Sequence, residues 1–193
     1  MRIIGGRLSG RRFGAPSGKG TRPTSDRVRE GLGSALASRG AFEGACVLDL
    51  FAGSGALSFE ALSRGAASAT LVDSDARVLR EIKASATTLD LGNSVQTVRA
   101  DLATPSAAVR RIRTEERTFD LLFIDAPYSD IGLVPPVLEA IEGADLMNPG
   151  AYVVVEHPRR YRWEWTKGLA SEADYRYGHT VISLGVYQPK GTK

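Results

Sequence analysis

The chain has 193 residues, 42% of them hydrophobic, enough for one globular domain with a substantial core but short for two full domains. No apolar run approaches the ~18 residues of a membrane span, and Met1-Arg-Ile-Ile-Gly5 lacks the apolar stretch of a secretory signal, so a cytoplasmic protein with no membrane partner is expected. The lone Cys46 can form no internal disulfide and is expected to be a buried thiol, and two histidines, His157 and His179, without paired cysteines give no support to a metal site.

The net charge of +3 is unevenly distributed. Residues 1–40 hold Arg2, Arg7, Arg11, Arg12, Lys19, Arg22, Arg27, Arg29 and Arg39 against Asp26 and Glu30, a local net charge of +7, which leaves −4 for the remainder. A basic arm on a mildly acidic body predicts a polyanionic partner, because clustered cations displace counterions from phosphates.

Arg2-Ile-Ile-Gly-Gly6 and Gly10-Arg-Arg-Phe13 read as the two arms of a small hairpin that presents arginines. The stretch 15–23 reads as a loop. Thr24 or Ser25 is positioned to cap a helix from Asp26 to about Ser38. Gly31 and Gly33 each weaken that helix by roughly 1 kcal/mol relative to alanine; either packing supports it, or the glycines let something approach its backbone.

From Cys46 onward strands alternate with helices. The predicted strands are Cys46 to Leu50, Ala69 to Val72, Val95 to Arg99, Phe119 to Ile124 and Tyr152 to Glu156. The predicted helices are about Ala56 to Arg64, Ala76 to Leu89, Thr104 to Arg113 and Gly132 to Ile141. This alternation predicts an α/β fold with a mostly parallel sheet covered on both faces. Ala173 to Tyr177 and Thr180 to Gln188 flank Gly178-His179 and predict a terminal antiparallel hairpin added to that sheet.

The run Asp49-Leu-Phe51-Ala52-Gly53-Ser54-Gly55 joins the first strand to a helix. Its glycines permit close approach of a ligand to the backbone, and the helix amino terminus offers oriented donors. Asp73, twenty residues after Gly53, ends the next strand, where a carboxylate can accept from both ribose hydroxyls of a nucleoside. A nicotinamide dinucleotide fold shares that spacing. However, Ser58 stands at the third glycine position, and Asp49 is a poor neighbour for a pyrophosphate. It is a good one for the ammonium of S-adenosylmethionine. Asp101 is a candidate acceptor for the adenine amine and equally a helix cap before Thr104, while Asp75 reads as a helix cap.

Asp125-Ala126-Pro127-Tyr128 follows the apolar run that ends at Ile124. In isolation it is ordinary turn chemistry. Beside the glycine loop it becomes a candidate methyl-acceptor site: Asp125 and the Ala126 carbonyl can accept from an exocyclic amine, and Tyr128 can stack on a base.

These segments together resemble the RsmD-type methyltransferases. Asp49-Leu-Phe-Ala-Gly-Ser-Gly-Ala-Leu57 with Glu60-Ala-Leu-Ser-Arg-Gly65 is similar to that family's motif I. Arg2-Ile-Ile-Gly-Gly6, Gly10-Arg-Arg12, Arg22-Pro-Thr24 and Asp26-Arg-Val-Arg-Glu30 resemble its amino-terminal region. Asp125 to Tyr128 occupies its catalytic Asp/Asn-Pro-Pro-Tyr/Phe position. The resemblance implies a class I S-adenosylmethionine-dependent fold, with a seven-stranded, mostly parallel sheet and an antiparallel terminal hairpin. It also implies methylation of a guanine N2 in bacterial 16S rRNA, within the small subunit or its assembly intermediate. On this reading residues 1–40 form an RNA-binding extension, residues 41–193 the catalytic domain, and the protein is a monomer. Arg11, Arg12, Arg22, Thr24, Arg27 and Arg29 would contact the RNA. Two departures stand out: Ala126 replaces the family's usual proline, and Gly33-Ser34 stand where Phe-Asn is common. Competing readings are a non-catalytic ribosome-assembly factor and a nicotinamide-dependent oxidoreductase.

Overall fold

The computed structural model describes residues 1–14, 26–113 and 118–189. Seven strands form one sheet: β1 (Cys46–Leu50), β2 (Ser68–Asp73), β3 (Val95–Arg99), β4 (Phe119–Ile124), β5 (Met147–Pro158), β6 (Leu169–Tyr177) and β7 (Thr180–Tyr187). Their order is β3-β2-β1-β4-β5-β7-β6. The five strands from β3 across to β5 are parallel, and β7 runs antiparallel to both β5 and β6. Five helices connect or flank them: α1 (Asp26–Ala37), α2 (Ala56–Ser63), α3 (Ala76–Thr88), α4 (Pro105–Ile112) and α5 (Val134–Gly143).

The parallel strands are nearly continuous apolar runs because helices cover both faces. One apolar cluster joins Val47, Leu71, Leu121 and Phe123 to Phe59, Leu62, Leu79 and Ile82. On the other face Leu48, Leu50, Leu122 and Ile124 pack with Val109, Val137, Leu138 and Ile141. Alternation along each strand thus sends successive side chains into separate cores.

Two strands begin earlier than their sequence patterns predict. β5 starts at Met147 rather than Tyr152; its pairing with β4 shifts register between Phe119 and Leu121 to accommodate Pro149 and Gly150. β6 starts at Leu169 rather than Ala173, with an irregularity between Ser171 and Ala173. In both cases the bulge breaks the strict alternation that a sequence pattern relies on. Cys46 is half-buried rather than buried, as it opens β1 at the sheet's rim.

The amino-terminal arms pair through a single bridge, Arg2 to Arg12, supported by hydrogen bonds from Ile3 N to Arg11 O and from Phe13 N to Met1 O. They are bound tightly to the sheet's helical layer. Ile3, Leu8 and Phe13 enter the first apolar cluster, and the Phe13 and Phe59 rings meet edge to face at 5.1 Å. Glu60 accepts from the Ile4 and Gly5 amides, and Ser63 Oγ donates to Gly5 O at 2.6 Å.

Both helix α1 glycines admit a neighbour. A Cβ on Gly31 would lie 2.4 Å from the Tyr177 hydroxyl, and one on Gly33 would lie 2.7 Å from the Arg64 guanidinium carbon. Close approach, at the expense of helix propensity, is therefore the physical reason for this pair. The predicted caps Thr24 and Ser25 lie outside the described residues.

Candidate active site

The strand register brings the candidate residues to one edge of the sheet. Leu50 at the end of β1 lies opposite Val72 of β2 and Ile124 of β4. The loop that begins at Phe51 is consequently flanked by Asp73 on one side and Asp125 on the other. The connections from β1 and β4 leave in opposite directions across the sheet, and crevices at such a switch point are where open α/β sheets bind ligands.

The glycine loop is built from left-handed backbone: Phe51 has φ 61°, Gly53 52° and Gly55 74°. A side chain at Gly55 would also come within 2.9 Å of Leu71 and 3.0 Å of Phe59. Phe51 adopts this conformation despite its side chain, a cost of order 1–3 kcal/mol that recurs at ligand-binding turns. Ala52 is buried, while Gly53 and Ser54 are half-buried. Ala52 N donates to Val72 O at 2.9 Å, and Gly53 N donates to Asp73 Oδ2 at 3.2 Å, so β2 fixes the loop. Helix α2 then starts without a side-chain cap, which leaves its first-turn amides available as donors.

Asp49 lies beneath this loop, 2% exposed. Burial pushes its carboxyl up to about 8; the Ser58 hydroxyl opposes that shift, and the nearby Asp125 and Asp73 carboxylates add to it. Ser58 Oγ donates to Asp49 Oδ2 at 2.7 Å. Asp73 Oδ1 accepts from Asp75 N at 2.9 Å. Asp101 is exposed and accepts from Ala103 N at 2.9 Å, closing a turn rather than capping α4. Asp75 caps α3 by accepting from Arg77 N at 2.7 Å.

The donor set can be tested against the two nucleotide-derived cofactors. Asp49, Asp73 and Asp125 are close enough for their charges to oppose ionisation of Asp49. Asp73 and Asp125 set two carboxylates beside the loop, which repel a pyrophosphate. They suit a ligand with ribose hydroxyls and a cationic amino-acid end, so the residues present fit S-adenosylmethionine.

On the β4 side, Asp125 is half-buried, Ala126 is buried, and Pro127 and Tyr128 are exposed. Asp130 N donates to Pro127 O at 2.7 Å and closes the turn. The Tyr128 hydroxyl and Thr180 Oγ1 are hydrogen-bonded at 2.6 Å, which anchors the rim of the crevice to β7. The ring itself is 41% exposed, open for stacking.

The predicted basic residues divide into three groups. Arg12 and Arg27 are exposed. Arg11 is turned back onto the end of α3, with Nη1 2.9 Å from Asp90 Oδ2 and 3.2 Å from Leu89 O. Arg29 must be corrected: its side chain is 0% exposed, paired with Asp26 at 2.7 Å and Glu60 at 3.3 Å, and Nη1 donates to Arg2 O at 3.0 Å. It joins the amino-terminal arm, α1 and α2, so it is an internal strut and cannot hold phosphate. Arg22 and Thr24 lie outside the described residues.

Three residues at or near the site escape sequence reasoning. Ser58 reads only as a missing glycine, although a serine nine residues after a buried aspartate is the available signal. Glu60 belongs to the segment that resembles motif I, but its burial at 4% exposure, against the amino-terminal amides and Arg29, has no local signal. Thr180 has no local signal, since its role arises where β7 passes the β4 turn.

Comparison with known proteins places these features in a family. Residues 1–186 match the family model described as Conserved hypothetical protein 95. The chain is 33% identical to YlbH of Bacillus subtilis (strain 168) over 99% of this chain and all of that one. It is 36% identical to Ribosomal RNA small subunit methyltransferase D of Escherichia coli (strain K12), over 81% of this chain and 74% of that protein. The solved structure of Escherichia coli yhhF superposes with a TM-score of 0.82 at 30% identity, covering 98% and 99% of the two chains. The fold is that of the class I S-adenosylmethionine-dependent methyltransferases, and the chain belongs to the Conserved hypothetical protein 95 family, which is the RsmD family of rRNA methyltransferases.

Proposed function

We propose that this protein transfers a methyl group from S-adenosylmethionine to the exocyclic N2 of a guanine in bacterial 16S rRNA, within the small subunit or its assembly intermediate. The observation that carries the reading is the register of Leu50 with both Val72 and Ile124. It sets the glycine loop, Asp73 and the Asp125 turn around one crevice. The relative with 36% identity bears the name of a small-subunit rRNA methyltransferase, and the exposed Arg12 and Arg27 supply cations for a phosphate backbone.

Asp73 would hold the ribose hydroxyls, the glycine loop would admit the amino-acid end, and Asp49 would favour that cationic end once ionised. Asp101 would accept from the adenine amine. When bound, S-adenosylmethionine supplies an electrophilic methyl group. Guanine N2 is a poor nucleophile because its lone pair is delocalised into the ring. Asp125 and the Ala126 carbonyl accept from its N–H groups and favour a more tetrahedral nitrogen, while Tyr128 stacks on a base turned out of its neighbours. Transfer, which would form the N2–methyl bond as the sulfonium–methyl bond breaks and releases S-adenosylhomocysteine, would depend chiefly on how these residues position N2. Asp125 need not be a strong base, since the proton becomes acidic only as the nitrogen gains positive charge.

Calorimetric titration separates this reading from an oxidoreductase. Binding of S-adenosylhomocysteine without binding of NAD is expected; the reverse pattern would overturn the proposal.

A further inference from the structure

The chain between β5 and β6 forms a second cleft beside the crevice. Its cavity, about 450 Å³, lies between the connector residues Tyr161, Trp163 and Trp165 and the outer strands, where Asp174, Arg176 and Ser183 line it. The aromatic side chains are fixed in place. Trp163 stacks on His157 at 5.8 Å and 23°, and meets Trp165 edge-on at 5.2 Å. Trp165 in turn lies where a Cβ on Gly185 would be, 2.9 Å away, so that glycine admits the indole.

The cleft has a polar floor. His157 Nε2 and Ser183 Oγ are 2.9 Å apart, and Ser183 Oγ donates to Asp174 Oδ1 at 2.6 Å. The Trp163 indole nitrogen is buried and has no hydrogen-bond partner among the described residues. An indole N–H without an acceptor is costly in a buried setting, and the methyl-transfer chemistry gives it no role. Arg159 and Arg176 are exposed and also line the cleft. Aromatic surface, an unmet donor, an acceptor on Asp174 and flanking guanidinium groups form the set that holds an unpaired nucleotide: stacking for the base, hydrogen bonds for its edge and cations for its phosphate.

The cleft is linked through β7 to the residue that anchors Tyr128. Thr180, bonded to Tyr128, pairs across the sheet with Pro158. Its neighbours Val181 and His157 both line the cleft. We infer that this cleft is a subsite for a single-stranded nucleotide flanking the methylated base, with Tyr161 and Trp163 as its aromatic wall and Arg159 and Arg176 as its phosphate contacts. The inference rests on the proposed action on RNA and adds a second anchoring point to it.

The test uses the full chain and two synthetic RNA stem-loops that carry the acceptor guanine. In one, nucleotides flank it in a single-stranded loop; in the other, those flanking positions are abasic. Tyr161→Ala is expected to raise KM for the intact loop at least about fivefold, the lower bound for loss of one base–aromatic stack. The rate at saturation and S-adenosylhomocysteine affinity should be unchanged, and the abasic RNA should show no difference between variant and wild type. Ultraviolet crosslinking of the wild type to the intact loop should label the peptide containing Tyr161 and Trp163. Arg176→Gln, on the exposed rim, should raise KM for both RNAs, because the abasic strand keeps its phosphates. Equal KM values for variant and wild type on the intact loop would overturn the subsite and leave the methyltransferase reading standing. Absence of methyl transfer by the wild type both to these RNAs and to isolated small subunits would overturn both.

Discussion

Ser58 Oγ donates to Asp49 Oδ2 at 2.7 Å, so the residue at the third glycine position holds the acid beneath the glycine loop. Burial raises the Asp49 carboxyl from 3.8 to about 8. Because the folded-state value is the higher one, the folded protein retains a proton that the unfolded chain has lost between pH 4 and 8. Stability should therefore fall as pH rises through that window. Asp49→Asn should flatten the decline, as measured by urea unfolding at pH 5, 6.5 and 8. The same ionisation favours a cation above the carboxyl, so S-adenosylmethionine affinity should strengthen from pH 6 to 8 in the wild type. It should be weaker and nearly independent of pH in Asp49→Asn; parallel pH profiles would remove Asp49 from the cofactor site.

Arg29 and Glu60 form a buried pair at 3.3 Å. Removing one member strands the other, a loss of about 3–5 kcal/mol. Arg29→Ala should lower the unfolding midpoint sharply. Arg12→Ala with Arg27→Ala should leave that midpoint within about 0.5 kcal/mol of wild type, while reducing the slope of log affinity against log salt for RNA. An unchanged slope would remove these two arginines from the RNA-binding surface.

Gly31 accommodates the Tyr177 hydroxyl where a Cβ would lie 2.4 Å from it. Gly31→Ala should thus destabilise the protein, although alanine is favoured by about 1 kcal/mol in an open helix. Adding Tyr177→Phe removes the clashing atom and should recover most of the loss. A stabilising Gly31→Ala single variant would show that the close approach carries no energetic weight.

Tyr128 presents an exposed ring and a hydroxyl anchored to Thr180. Tyr128→Phe keeps the ring and should reduce kcat/KM only a few-fold, whereas Tyr128→Ala loses a stack of about 1–3 kcal/mol and should cost roughly fivefold to a hundredfold. Equal losses would assign the effect to the hydroxyl anchor rather than to stacking.

The parallel strands were legible because burial on both faces writes them as continuous apolar runs between helical patterns. The glycine loop and Asp73 were legible because their spacing belongs to one strand-loop-helix-strand unit. The early starts of β5 and β6 were not, since Gly150 and the irregularity near Ser171 interrupt the alternation. The burial of Arg29 was equally hidden: its charge matches its neighbours Arg27 and Arg22, and only the packing of α1 against α2 brings Glu60 to it. The bond from Tyr128 to Thr180 joins residues 52 positions apart, and no local pattern encodes it.

The most direct measurement is transfer of labelled methyl from S-adenosylmethionine to small subunits isolated from cells that lack this protein, followed by mapping of the label. Wild-type protein should place one methyl on N2 of a single 16S guanine, and Asp125→Ala should nearly abolish transfer while S-adenosylhomocysteine still binds. Label on a different base or atom, or undiminished transfer by Asp125→Ala, would contradict the proposed reaction.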